Sequence, residues 1–271
     1  MGTAAERWRE DLASWAIPEP ILQAAPESPW GCPVELFARR ADQVGGPRTP
    51  SNLRALEALP EGGSVLDVGC GAGAASLPLV PPAARLTGVD TSTGMLDAFR
   101  QRAERSGAEA TTVVGRWPDV AGVVGGADVV VCHHVLYNVP DLPAFVGALT
   151  QHAGARVVVE MTARHPLSDE RDLWRRFHGL VRPERPTADD AEAVVRELGI
   201  AAAREDWEAP RTGGFSRRED LVAWIRRRLC LSAERDGEVW DAIAPDVRER
   251  DGIFGFAGTR RLVTVWWDTP S

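Results

Sequence analysis

The chain has 271 residues and a net charge of −8, with 44% hydrophobic and 26% charged residues. Such a length buries a sizeable core and fits one decorated α/β domain better than two independent ones. The acidic balance argues against an electrostatic grip on nucleic acid or anionic lipid, and no apolar run reaches the roughly 18 residues of a membrane span. The polar N-terminus (Met1 to Glu10) lacks the apolar stretch of a signal peptide, and Cys32, Cys70, Cys132 and Cys230 form no C-x-x-C pair. A reduced, cytoplasmic protein without structural metal is therefore expected.

Residues 1–60 show helical patterns at Ala4–Ala16, Val34–Ala41 and Ser51–Leu59, the last with Ser51 as N-cap, separated by a proline-rich crossing from Pro18 to Pro33. This segment reads as a helical cap over a domain spanning 61–271. From residue 65 apolar strands alternate with helices: strands at Val65–Val68, Arg85–Val89, Ala110–Val114, Ala127–Cys132 and Arg156–Glu160, and helices near Gly73–Leu79, Thr93–Ser106 and Leu142–His152. The alternation predicts a parallel sheet with helices on both faces. Helices follow at Ser168–Gly179 and Thr187–Leu198, then a strand at Ile200–Trp207. A capping box at Ser216 to Glu219 opens a helix through about Leu231, another helix runs to about Ile243, and a final strand covers Arg261–Trp267. Helical sequence between the last two strands marks an insertion at about 209–255. The expected architecture is a seven-stranded, mostly parallel α/β sheet.

The chemistry concentrates where the first strand ends. Val65-Leu66-Asp67-Val68-Gly69-Cys70-Gly71-Ala72-Gly73 reads as a buried strand with a carboxylate, followed by a loop open to close backbone approach by a ligand. The glycines alone also satisfy the dinucleotide pattern G-x-G-x-x-A with Ala74, which leaves an NAD(P) oxidoreductase as one reading. Asp67 argues otherwise, because a carboxylate there repels diphosphate and suits an ammonium group. A second carboxylate, Asp90, ends the next strand 21 residues after Gly69 and is placed to accept hydrogen bonds from two ribose hydroxyls.

The run V-L-D-V-G-C-G-A-G strongly resembles the first motif of class I S-adenosylmethionine-dependent methyltransferases of Rossmann-like fold and small-molecule type. The stretch Asp90-Thr91-Ser92-Thr93-Gly94-Met95-Leu96 resembles that family's second motif, and Asp128 to Val139 its fourth-strand motif. The resemblance covers about Val65–Val139. It implies a methyl transfer from S-adenosylmethionine, leaving S-adenosylhomocysteine, to an oxygen, nitrogen or carbon of a small molecule. It assigns cofactor contacts to Asp67, Gly69, Cys70, Gly71, Gly73, Asp90, Thr91, Met95 and His133. The family's acidic residue after the third strand is replaced by Arg116-Trp117, where Trp117 either stacks on adenine or plugs the loop.

The resemblance further implies that residues just past the fourth strand face the reactive methyl group, making His133 and His134 the candidates for a general base. The alternative is that one side chain caps backbone carbonyls at the strand end while the other packs under the cofactor. Adjacent residues on an extended strand point to opposite faces, so the two would not chelate one metal ion. Tyr137, Glu160 and His165 are candidate substrate contacts. The absence of an N/D-P-P-[YF] tetrapeptide disfavours a nucleobase amine as acceptor. A regulatory S-adenosylmethionine-binding protein is the remaining alternative, and the sequence does not define an oligomeric state.

Overall fold

A computed structural model describes residues 2–30, 48–211 and 214–270; the helix expected at Val34–Ala41, with Cys32, lies outside the described residues. The sheet contains the strands that the apolar runs predict: β1 (Ser64–Val68), β2 (Arg85–Asp90), β3 (Glu109–Val114), β4 (Ala127–His133), β5 (Ala153–Thr162) and β6 (Ala203–Pro210). A two-stranded ribbon, β7 (Val247–Arg250) and β8 (Ile253–Phe256), precedes the last strand, β9 (Thr259–Asp268). The main sheet has the order β3-β2-β1-β4-β5-β9-β6, with β9 antiparallel to both its neighbours. It is thus the expected seven-stranded, mostly parallel sheet. The order reverses between β1 and β4, which opens a crevice at the carboxyl ends of the strands, where such sheets bind ligands.

Burial on both faces explains the unbroken apolar run of β4: Val129, Val130, Val131 and Cys132 are all buried. One face packs against α1 (Ala4–Ala13), which carries Trp8 into the core. The same cluster includes Phe145, Val146 and Leu149 of α5 (Leu142–His152) and Val194 and Val195 of α7 (Ala188–Glu197). The other face takes Ala55 of α3 (Pro50–Leu56) and Leu96, Phe99 and Ala103 of α4 (Thr93–Arg105). Of the helices that flank α2 (Glu19–Ala24), α3 packs on β5 and β9, whereas α1 packs on α5 and α7. A third cluster lies apart: Ile17, with Ile21 and Leu22 of α2, meets Trp174 of α6 (Arg171–His178), Leu221 and Ile225 of α8 (Arg218–Arg228), and Val239 and Ile243 of α9 (Asp236–Ile243).

Several local expectations are corrected. No α-helix forms at Gly73–Leu79; turns lead into a single 3₁₀ turn, Leu77–Leu79. Pro78 has no N–H to donate and Pro81-Pro82 follow at once, so a regular helix has no continuation there. The N-cap of α3 is Thr49 rather than Ser51: the Thr49 side chain accepts from Asn52 N, and Pro50 takes the first helical position. The helix expected at Ser168–Gly179 splits into a 3₁₀ turn, Pro166–Glu170, and α6. The capping box at Ser216 does not form, and α8 begins at Arg218. Phe215 is bridged to Phe254 through both backbone groups. The β7–β8 ribbon was missed although Asp251-Gly252 is a hairpin-turn pair, both with positive φ.

Candidate functional site

The first turn of the site is set by two glycines. Gly69 has φ +72°, and Val135 of the segment after β4 lies so close that a Cβ there would collide with its side chain. Contact between these two loops brings the ends of β1 and β4 together. Gly71 has φ +48° but faces open space where a Cβ would stand, which is the condition for a ligand to lie against bare backbone. Gly69 N and Cys70 N both donate to Val89 O, pinning the loop to β2.

Asp90 is fixed by that same loop. Its Oδ2 accepts from Gly71 N at 2.9 Å and its Oδ1 from Ser92 N at 2.9 Å. Each carboxylate oxygen keeps a further lone pair, so the half-buried group remains able to accept a vicinal diol. Asp67 is fully buried; Oδ2 accepts from Ser76 Oγ at 2.6 Å, while Oδ1 has no hydrogen-bond partner. Burial pushes its carboxyl up to about 7, with the nearby Asp90 adding to the shift and the Ser76 hydrogen bond opposing it. An orphaned carboxylate oxygen beside an open glycine loop suits a cationic or hydrogen-bonding ligand. Ser76 carried no signal in the sequence. Cys70 and Met95 are buried around the loop, Met95 packing with Ala72, and Thr91 is exposed.

The second half of the site joins β4 to β5. His133 and Glu160 are register partners on these parallel strands. His133 Nδ1 lies 3.8 Å from Glu160 Oε2, and His134 Nε2 lies 3.1 Å from Oε1. The expectation that the two rings diverge is corrected. His134 follows the last residue of β4 with φ +60°, its N–H bonded to Glu160 O at 2.7 Å, and the left-handed turn swings its ring back onto the same carboxylate. Among the described residues, no group of His, Cys, Asp and Glu side chains is arranged to hold a metal ion.

Burial lowers the His133 pKa and so favours the neutral ring, with Glu160 opposing the shift and His134 adding to it; its Nε2 has no partner. Burial alone would raise the Glu160 carboxyl, but His133, His134 and Ser51 outweigh it and hold the group well below the usual carboxylate range. Glu160 thus stays ionised at neutral pH. It faces His134 Nε2 and, when that ring is neutral, favours the Nε2–H tautomer, whose Nδ1 is then the acceptor on a side chain that is 44% exposed.

Beneath Glu160 runs a chain of buried donors that the sequence did not reveal. Trp207 Nε1, which can only donate, gives its proton to Thr264 Oγ1 at 3.0 Å, and Thr264 Oγ1 lies 2.7 Å from Ser51 Oγ. Ser51 in turn bonds Glu160. The direction is fixed from the carboxylate back: ionised Glu160 can only accept, so Ser51 donates its one proton to it and Thr264 donates to Ser51. Ser51 and Thr264 are fully buried.

The other predicted residues sit elsewhere. Trp117 is buried in the core, edge-on to His152 at a centroid distance of 4.8 Å, instead of forming an exposed platform; Arg116 beside it is exposed. Tyr137 is buried, its hydroxyl donating to Thr162 O at 2.9 Å and its ring stacked on Trp8. His165 is buried face to face with Trp15 at 3.9 Å, and burial first, then Arg182 and Arg228, push it down to about 4. Its Nδ1 accepts from Leu167 N. Glu160 is itself only 6% exposed, so it faces its histidines more than the crevice.

Residues 65–154 match a family model described as a methyltransferase domain. An O-methyltransferase of ubiquinone biosynthesis from Methylocella silvestris is 32% identical over 123 residues, which is 44% of this chain and 46% of that protein. A second with the same description, from Cronobacter sakazakii, is 38% identical over 91 residues, 33% of this chain and 37% of its own. The chain thus spans half or less of the length of these relatives. Among solved structures, the YcgJ protein of Bacillus subtilis matches with a TM-score of 0.53 at 18% identity, covering 82% of this chain and 98% of its own. A putative methyltransferase from Bacillus halodurans gives 0.54 at 16% identity, covering 81% and 99%. These two likenesses establish the fold.

Proposed function

Starting from residues 65–154 as a member of the methyltransferase-domain family with a Rossmann-like fold, we propose that the protein transfers a methyl group from S-adenosylmethionine to a small-molecule acceptor. The observation that carries this reading is the junction of two half-sites at one sheet edge. The glycine loop with Asp67 and Asp90 touches, through Gly69 and Val135, the segment bearing His134. Asp90 would hold the ribose hydroxyls, Gly71 the backbone-facing side of the nucleoside, and Asp67 the ammonium end, directly or through water. The cofactor, when bound, supplies an electrophilic methyl carbon on a sulfonium. His134 Nδ1 would accept the proton of an oxygen or nitrogen nucleophile as it attacks in line, with Glu160 holding the ring in the required tautomer and stabilising the imidazolium. Positioning by the crevice accounts for most of the remaining acceleration.

Trp117 and Tyr137, being core residues here, are left out of the proposed contacts, and Glu160 is assigned to His134 instead of to substrate. The third hydrophobic cluster would cover the acceptor. No helix among the described residues is long and apolar enough to cross a membrane, and the acidic charge fits a cytoplasmic protein acting on metabolites rather than on nucleic acid. The test is turnover: release of S-adenosylhomocysteine by wild type, and far more slowly by His134→Ala, with hydroxyaryl or amine acceptors. Binding without turnover on any acceptor class would favour the regulatory alternative.

A further inference from the structure

Four segments far apart in sequence meet near the carboxyl end of β5: the turn carrying Asp169 and Glu170, Arg211 after β6, Arg228 at the end of α8, and Arg260 near the start of β9. Arg228 Nε lies 2.6 Å from Glu170 Oε1, and Arg211 Nη2 lies 2.9 Å from Asp169 Oδ2. Arg182 is nearby and turned the other way, its two Nη groups donating to the backbone carbonyls of Trp15 and Ala16 while its buried Nε has no partner. The cluster therefore sets three guanidinium groups, Arg211, Arg228 and Arg260, against two carboxylates. Burial also raises Glu170, which weakens the acidic side further.

Arg260 is the member left over. Among the described residues its nearest carboxylate is Asp169 at 3.7 Å, beyond hydrogen-bond reach, and its side chain is 34% exposed. Among the described residues its five donors thus have no acceptor within hydrogen-bond reach; Asp169 attracts it from 3.7 Å, while Arg211 and Arg228 repel it. A partly exposed guanidinium with like-charged neighbours and only a shared carboxylate nearby has the properties of an anion receptor.

Its position relates it to the site already described. Along β9, Thr264 and Arg260 are separated by an even number of residues and so project from the same face, about 13 Å apart. Thr264 is the register partner of Glu160, which holds His134. Leu262 and its partner Thr162 lie between them on that face. We propose that Arg260, supported by Arg211 and Arg228, receives an anionic group of the methyl acceptor, a carboxylate or a phosphate, while the nucleophile at the other end of the same molecule meets His134. This rests on the methyltransferase reading and narrows the acceptor to singly or doubly charged anions.

The test is calorimetric, on the full chain. First, S-adenosylhomocysteine is titrated into wild type, Arg260→Gln and Arg260→Lys. Each loaded protein then receives 4-hydroxybenzoate, 3-(4-hydroxyphenyl)propionate, 5-(4-hydroxyphenyl)pentanoate, the corresponding amides, and 4-hydroxybenzyl phosphate. The account expects at least one acid or the phosphate to bind about tenfold or more tighter than its uncharged counterpart. Arg260→Gln should remove that preference, Arg260→Lys should retain part of it, and S-adenosylhomocysteine affinity should change less than about threefold throughout. Whether carboxylates or phosphate bind better identifies the anion. Binding of no anion by wild type, or an anion preference unchanged in Arg260→Gln, overturns the proposal. Intact S-adenosylhomocysteine binding alongside that result leaves the cofactor reading standing. Arg260-dependent anion binding without S-adenosylhomocysteine binding would instead defeat the cofactor reading and keep the anion site.

Discussion

The edge formed by β1, β2 and β4 and the helical layer around Trp174 are built from one chain by different means. At the edge, short-range sequence dictates geometry: strand, glycine turn and carboxylate follow one another, and Gly71 N reaches Asp90 across only 19 positions. In the helical layer, α2 near the N-terminus packs on α8 and α9 some 200 positions later, and Arg226 of α8 pairs with Glu27 at 3.2 Å across 199 positions. The first region uses backbone conformation that glycine permits, whereas the second relies on apolar burial that many sequences supply. A binding site for one cofactor tolerates little variation, while a cover over an acceptor can change with the acceptor.

The sharpest way to separate the regions is His134→Ala, which should lower kcat by about 10²–10⁴-fold while leaving S-adenosylhomocysteine affinity within about threefold. Its pH–rate profile should lose the limb that reports a base. A loss of cofactor affinity instead would move His134 from the acceptor side to the cofactor side. Next in size, Asp90→Ala removes both the ribose acceptor and the anchor of Gly71 and Ser92, so cofactor affinity should fall by about 30–100-fold in calorimetry. Thr264→Val breaks the donor chain to Glu160 without touching either ligand. It should reduce kcat by roughly 3–10-fold and shift the pH profile, with KM for the cofactor unchanged. An unaltered profile would make the chain a packing feature only.

A separate effect is one of stability. The folded Asp67 pKa, about 7, lies above its unfolded value, so the folded state binds this proton more tightly. Its contribution to stability is present in acid and is lost as pH rises from about 4 to 7. Glu160 has the opposite sign: its lowered pKa contributes stability that fades as pH falls below the usual carboxylate range. Asp67→Asn should therefore raise the Tm of the unliganded protein at pH 8 by a few degrees, on the order of 1–3 kcal/mol, while weakening cofactor binding. No gain at pH 8 would show that the buried carboxylate is compensated.

What was legible follows the same division. The seven strands of the main sheet, Asp67, the glycine loop and Asp90 could be read because each signal is local: an apolar run, a turn residue, a carboxylate at a strand end. Trp117 was ambiguous because an aromatic on a loop carries no direction until its neighbours are known, and His152 lies 35 positions away. Local pattern alone makes Ser51 an N-cap, but Thr49 and Pro50 supply the local start and Ser51 is turned to Thr264, 213 positions away. The convergence of His133 and His134 depends on one left-handed residue that a β-strand pattern cannot announce. The arginine cluster draws its members from four segments, and none stands out where it occurs.

The central claim is that the edge at Gly69–Gly73 and Asp90 is a site for S-adenosylmethionine. Titration calorimetry of S-adenosylhomocysteine and, separately, NAD⁺ and NADP⁺ into wild type and Asp90→Ala tests it most directly. The account predicts one S-adenosylhomocysteine bound per chain by wild type, markedly weakened in Asp90→Ala, and no heat from either dinucleotide. Dinucleotide binding, or S-adenosylhomocysteine binding indifferent to Asp90, would contradict it.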